Sequence, residues 1–301
     1  MKVERVLIAT DFSNSSSVAP HRGVDLAQQF GAEVHLLHVV PLSELSVLAP
    51  LESTWSRDEL IHMGISEAEK QVETLAEQID FGSCSHVTAV IESEFVAEGI
   101  VEYANEHSID VIVLGTHGRR GLRRFLLGSV AEEVVRTASC SVYTCTEEVD
   151  AVASRPREIL VAVDFSDHSR AGLQFARDLG NFYQAPVRAL HVVPRPHYAP
   201  EYSGAASVLV ENMPEVLKAA RESLEKETAA AGRFEHGIEV EAVIGSAAHE
   251  ILECADEHSS DLIIIGSRGL TGIKHALLGS VADRVVRRAT CPVLTVHLAD
   301  V

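Results

Sequence analysis

Two stretches of this 301-residue chain carry the residue types best suited to chemistry: "GTHGRRGLRRFLLGSV" (Gly115–Val130) and "GSRGLTGIKHALLGSV" (Gly266–Val281). Each has a glycine, two residues, a glycine, nine residues, then Gly-Ser: Gly115, Gly118, Gly128 and Ser129 in the first, Gly266, Gly269, Gly279 and Ser280 in the second. Glycine after a buried strand admits positive φ and lets a ligand approach the main chain without a Cβ in the way. The amides that open the following helix have no intrahelical partner and make an anion site. Arg119, Arg120, Arg123 and Arg124 lie inside the first loop, with Arg268, Lys274 and His275 in the second. A phosphate-bearing ligand is the chemistry expected. Taken alone, Ser129 with Glu132 and Ser280 with Asp283 also read as helix capping boxes, which would give those serines a purely structural role. Neither loop has Gly-Lys-Ser/Thr after a GxxxxG turn, and neither follows the first strand of a unit, so the commoner phosphate loop and the dinucleotide fingerprint do not fit.

The elements that must position these loops occur twice. "VLIATDFSNSS" matches "ILVAVDFSDHS" and pairs Asp11 with Asp164; "EVHLLHVVP" matches "PVRALHVVP" and pairs His38 with His191; "YANEHSIDVIVLG" matches "CADEHSSDLIIIG". Strands are expected at Arg5–Thr10, Glu33–Val40, His86–Ile91, Val111–Leu114 and Ser141–Cys145, and again at Glu158–Val163, Val187–Val193, Val240–Ile244, Leu262–Ile265 and Pro292–His297. Between them, segments such as "AEGIVEYANEHS" space apolar residues by three and four, as amphipathic helices do. Continuous Val, Ile and Leu runs separated by helices imply parallel sheets covered on both faces. The expected division is a first domain over 1–147, a linker over 148–157 and a second domain over 158–301. Pro41–Ser66 and Pro194–Pro214 read as a loop and helix start packed on the surface, with lids over a ligand as the alternative.

Ligands of such sheets bind at the carboxyl ends of the strands. Asp11 and Asp164 after the first strand, Val39 and Val192 in the second, and the glycine loops after the fourth all fall there. The two aspartates are the candidates for a base or a metal ligand, yet no second partner recurs beside both, so efficient catalysis is not indicated and no catalytic residue is assigned. His35 and His38 lie on opposite faces of one strand. Five cysteines without a CxxC pair argue against a disulfide framework or thiolate zinc site and read as small packed thiols.

The formal net charge of -19 disfavours nucleic acid and anionic membrane as partners. Residues 1–150 hold 10 basic and 24 acidic side chains and residues 151–301 hold 15 and 20. Against that background the arginines of the first loop suggest a small anionic ligand. The apolar runs are too short to span a bilayer, and "MKVERVLIATDFS" lacks the pattern of a secretory signal, so a cytoplasmic protein is expected.

The two glycine loops resemble the ATP-binding signature of the universal stress protein family, Gly-x2-Gly-x9-Gly-Ser/Thr, and "TDFS", "LHVV" and "CPVLTV" resemble its other landmarks over nearly the whole chain. The resemblance implies two tandem doubly wound α/β domains, each a five-stranded parallel sheet of order 3-2-1-4-5 with helices on both faces, of the adenine nucleotide alpha hydrolase-like kind. It implies ATP as a regulatory ligand of each domain, Mg2+ on the phosphates, and a nucleotide-dependent signalling role with an unknown protein partner. Asp11 and Asp164 would contact the nucleoside, with Val39 and Val192 near adenine. Gly115, His117, Gly118, Gly266, Arg268 and Gly269 would line the ribose and first phosphates. Gly128, Ser129, Val130, Gly279, Ser280 and Val281 would hold the outer phosphates. The family's glycine after the third strand corresponds to Gly245, and alignment puts Glu94 at that place in the first copy, where a carboxylate would oppose an anion or point outward. Pairing of "SVYTCT" with "CPVLTV" would make the chain a pseudo-dimer, with a homodimer as a further option. Slow ATP hydrolysis or nucleotide transfer, and a scaffold with vestigial sites, are the alternative functions.

Overall fold

The computed structural model of the chain describes residues 2–13, 18–43, 56–116, 127–145, 155–195, 213–269 and 278–298. These divide into two compact units, 2–154 and 155–298.

In the first unit β1 (Arg5–Ala9), β2 (Glu33–Pro41), β3 (His86–Ser93), β4 (Val111–Gly115) and β5 (Ser141–Cys145) form a sheet of order 3-2-1-4-5. Every pair is parallel: Ala9 lies opposite Leu37, Ile8 opposite Val113, Pro41 opposite Ser93 and Gly115 opposite Cys145. Val6, Leu7, Ile8, Val111, Ile112 and Val113 of the two central strands are fully buried. Each such aliphatic side chain contributes about 1.5–3 kcal/mol through burial, which is why these runs lack polar alternation. β3 differs. It lies at the sheet edge with its first residues exposed, so its pattern HVTAVIES is mixed and it reaches two residues beyond the expected apolar run.

Helices α1 (Val18–Phe30), α2 (Arg57–Gln78), α3 (Val96–Glu106) and α4 (Ser129–Thr137) cover the sheet; α1 packs on β1 and β4, α2 on β2 and β3, and α3 on β2 and against α4. α2 starts inside the stretch read as a loop and helix start. Its start is set by a capping box: the Glu59 amide donates to Ser56 Oγ (3.3 Å) and the Ser56 amide to Glu59 Oε2 (2.7 Å).

The second unit repeats the plan. β6 (Ile159–Ala162), β7 (Val187–Pro194), β8 (Ile238–Gly245), β9 (Leu262–Gly266) and β10 (Val293–Val296) are parallel in the order β8-β7-β6-β9-β10. α5 (Asp167–Tyr183), α6 (Met213–Ala231), α7 (Ala247–Glu257) and α8 (Ser280–Arg288) flank them, α5 against α6 and α7 against α8. In both units the strand order reverses between the first and fourth strands, the place where a doubly wound sheet opens a crevice at its carboxyl end.

Candidate functional site

The crevice of each unit is built by two kinks. At the first, the chain leaves β1 or β6 through a phenylalanine in left-handed conformation, Phe12 (φ 60°) and Phe165 (φ 68°). That conformation costs about 1–2 kcal/mol for a residue with a Cβ. It is held by contacts that recur in both copies. Asp11 Oδ1 accepts from the amide (3.0 Å) and hydroxyl (2.6 Å) of Ser13, and Asp164 Oδ1 from the amide (3.1 Å) and hydroxyl (2.6 Å) of Ser166. Each phenylalanine ring lies on a histidine, Phe12 on His38 and Phe165 on His191, with centroids 4.4 Å apart. The histidines donate from Nδ1 to the carbonyls just past the strand ends, His38 to Thr10 (2.8 Å) and His191 to Val163 (2.7 Å). The imidazole stops the ladder there, while β2 and β7 run on past it.

The second kink closes the glycine motif on itself. Thr116, after β4, donates its amide (2.8 Å) and hydroxyl (3.0 Å) to the Cys145 carbonyl, and its own carbonyl accepts from the Gly128 amide at 2.6 Å. Ser267 likewise donates its amide to Val296 (2.8 Å), hydrogen-bonds His297 Nδ1 through its hydroxyl (3.0 Å), and accepts from the Gly279 amide at 2.6 Å. Gly128 (φ -64°, ψ 150°) and Gly279 (φ -75°, ψ 151°) are therefore the helix N-caps, and neither helix has a side-chain cap. This corrects the capping-box reading of Ser129 and Ser280. The glycine is pulled back to the strand end, so each serine becomes the first helical residue and is exposed. The first intrahelical bonds run from Glu132 to Gly128 and from Asp283 to Gly279, placing the amides of Ser129, Val130 and Ala131, and of Ser280, Val281 and Ala282, ahead of them.

In the second unit the kinks meet. A Cβ on Gly269 would lie 2.5 Å from Asp164 Oδ2, and the Ser166 hydroxyl also reaches the Arg268 carbonyl at 3.3 Å. A Cβ on Gly266 would lie 2.9 Å from His168 Cβ and 3.1 Å from the Ser169 amide nitrogen at the start of α5. Asp164, Gly266, Arg268, Gly269 and Gly279 thus surround one crevice that α8 enters with Ser280 and Val281. Gly266, Gly269 and Gly279 are needed for close approach, and neither they nor Gly128 for the positive φ that the sequence suggested; that conformation falls on the phenylalanines instead.

In the first unit Gly115 ends β4, Asp11 follows the neighbouring β1, and Gly128, Ser129 and Val130 open α4. His117, Gly118, Arg119, Arg120, Arg123 and Arg124 lie outside the described residues, as do Lys274 and His275. Val39 is buried, its Cγ1 3.1 Å from the position of a Cβ on Gly99 in α3, so it meets the strand-end crevice through its main chain. Val192 is half-buried at the corresponding place. A cavity of about 400 Å³ opens beside Asp11, lined by Thr10, Phe12 and Ser13, by Pro20 of α1 and by Lys70 and Thr74 of α2.

Register also corrects the position of the third-strand glycine. Pro41 faces Ser93 as Pro194 faces Gly245, so Ser93 is its counterpart and Glu94 is one residue further and exposed. The cysteines are buried or half-buried, and burial pushes the thiols of Cys140, Cys145, Cys254 and Cys291 up to about 12, which leaves no thiolate nucleophile among them.

The serines, Thr116 and the two histidines do not stand out as site-building residues in the sequence, although "DFS" and "LHVV" recur in both copies. The repeat carries the signal. What it lacks is geometry, because a hydroxyl bonded to an aspartate two residues earlier has the same composition as one facing solvent.

The universal stress protein family profile matches residues 2–145 and, a second time, residues 156–297. The chain belongs to the universal stress protein family. It is a tandem, two-domain member with a parallel α/β sheet in each domain. Over 140 residues it is 39% identical to universal stress protein MJ0531 of Methanocaldococcus jannaschii, covering 46% of this chain and 79% of that one. A Mycolicibacterium smegmatis universal stress protein is 25% identical over 96% of this chain and 98% of its own. The crystal structure of a universal stress protein from Archaeoglobus fulgidus, 22% identical, superposes over 99% of both chains with a TM-score of 0.67, which shows the shared fold.

Proposed function

We propose that this universal stress protein is an ATP-dependent regulator that binds one adenine nucleotide in each domain and changes its affinity for a protein partner with occupancy. The observation that carries the reading is the duplicated closure of the glycine motif, which draws a helix start with three opening amides that make no intrahelical bond back to the end of one strand, while the neighbouring strand leads to an aspartate whose Oδ1 is already held. Those amides and the adjacent serine hydroxyl suit the outer phosphates. Asp164, with Oδ1 occupied by Ser166 and Oδ2 turned toward Gly269, accepts from a nucleoside hydroxyl or amine. The crowding around Gly269 and Gly279 supports the fit, since a side chain at either would intrude on the cradle. Mg2+, carried on the phosphates, would offset their charge.

Domain limits of 1–147 and 158–301 joined by 148–157, internal pairing of the fifth strands, and a cytoplasmic setting belong to the same reading. Among the described residues no helix is long and apolar enough to cross a membrane. Light scattering should give a mass near the chain's 32.6 kDa if the pairing is internal, and twice that for a homodimer.

Calorimetric titration with Mg-ATP is the test. Two equivalents per chain are expected for the wild type and one each for Gly118→Val and Gly269→Val. No binding to the wild type, or unchanged titrations in both variants and their combination, would overturn the site. Multiple turnovers that disappear in the double variant would favour an ATP-hydrolysing enzyme instead.

A further inference from the structure

A cluster of ligand-bearing side chains stands apart from the nucleotide crevice. Glu241 of β8, Cys254 of α7 and His258 just past the end of α7 bring one carboxylate oxygen, one sulfur and one imidazole nitrogen within 4.8 Å of one another. Cys254 and His258 are four apart and share a helix face, with Glu241 on the strand beneath. We propose that Glu241, Cys254 and His258 form a three-ligand site for a divalent transition ion of the zinc class, with the fourth position open to water or an external ligand.

Two further observations bear on a cation. The guanidinium of Arg188 is shared among three carboxylates, its Nη1 2.6 Å from Glu239 and 3.8 Å from Glu241 and its Nε 3.0 Å from Glu158, so it holds Glu241 by the longest of the three contacts and an ion competes there with that pairing alone. Finally, the last turn of α7 presents the negative end of the helix dipole. A tetrahedral ion with bonds of ~2.0–2.3 Å holds its ligands roughly 3.3–3.8 Å apart, so closure requires only side-chain rotation by the exposed His258 and half-exposed Glu241. Because α7 runs back against the strand direction, its end sits at the amino end of the sheet, opposite the glycine loop. Binding would displace the thiol proton and strengthen as pH rises. Among the described residues the first domain has no such set. Tyr103 and Ala89 stand where Cys254 and Glu241 do, and the space holds a ring cluster in which Tyr103 Oη meets His35 Nδ1 at 2.9 Å.

The test uses the full chain, freed of nucleotide and metal, titrated with Co2+ and then Zn2+. One equivalent of Co2+ should give a thiolate-to-metal charge-transfer band that Zn2+ abolishes. Cys254→Ser should lose the band. Glu241→Gln and His258→Ala, which change solvent-accessible groups and leave the core packing in place, should weaken Zn2+ binding at least tenfold, whereas His107→Ala should not. Absence of the band in the wild type, or undiminished Zn2+ affinity in both accessible variants, would overturn the site even if Cys254→Ser fails to fold.

Discussion

A side chain's chemistry is set by what touches it, and His35 shows this against His38. The two differ by three positions on β2, yet His38 spends Nδ1 on a main-chain carbonyl at the crevice while His35 is buried under α3 against Tyr103 and His107. Burial pushes His35 below its ordinary value of 6.5; the nearby Glu33 pulls upward, and His107 and Arg5 push down. The fold therefore prefers the neutral ring. His35 supports stability fully above about pH 6.5, and that support is lost as pH falls from there through the lower folded value, because the unfolded ring takes up a proton the folded one resists. Urea unfolding at about pH 7.5 and 5.5 should show a stability loss in the wild type that is smaller in His35→Gln, which keeps a partner for Tyr103. Equal losses in the two proteins would refute the assignment. The odd separation of the histidines was legible in the sequence and did put them on different faces. Which face was dry, and which served the crevice, depended on α3 and on the end of β1, neither of which the local pattern reports.

At the level of elements, the strands and their order follow from where apolar runs fall, and the largest departures are at edges. β3 and β8 are longer than their apolar runs because an edge strand is held by main-chain pairing on one side and needs little burial. Their junctions with the following helices show a compensation invisible to alignment. In the first unit Ser93 ends the strand and Gly99 faces it from α3, where a Cβ would come 2.8 Å from Ser93 Cβ; in the second, Gly245 ends the strand and Glu250 of α7 fills the gap. Large and small have changed places across the contact. Gly99→Glu should therefore destabilise the protein by about 1–3 kcal/mol. Adding Ser93→Gly should recover part of that loss, a coupling that a double-mutant cycle in urea would measure. Strictly additive effects would count against the compensation.

Over the whole chain the strongest long-range influence is charge. With 44 acidic against 25 basic residues the folded protein repels itself, more so in residues 1–150. Screening by NaCl between about 0.01 and 0.5 M should raise Tm by roughly 2–4 °C, without the protein binding polyanions at low salt. A flat or falling Tm would show that the acidic side chains are already compensated. Composition made this legible, as the repeat made the duplicated fold legible. The metal-type cluster was not legible, because its ligands come from a strand and a helix thirteen residues apart with no recurring spacing to betray them. The exchanged bulk at the strand-to-helix junctions also constrains how the two halves of the gene can be recombined. A crossover between them just after the third strand would set Ser93 against a glutamate in one product and Gly245 against a glycine in the other, the first crowded and the second hollow. Homogenisation of the two copies is thereby penalised by packing, and each half is left to diversify its own binding chemistry.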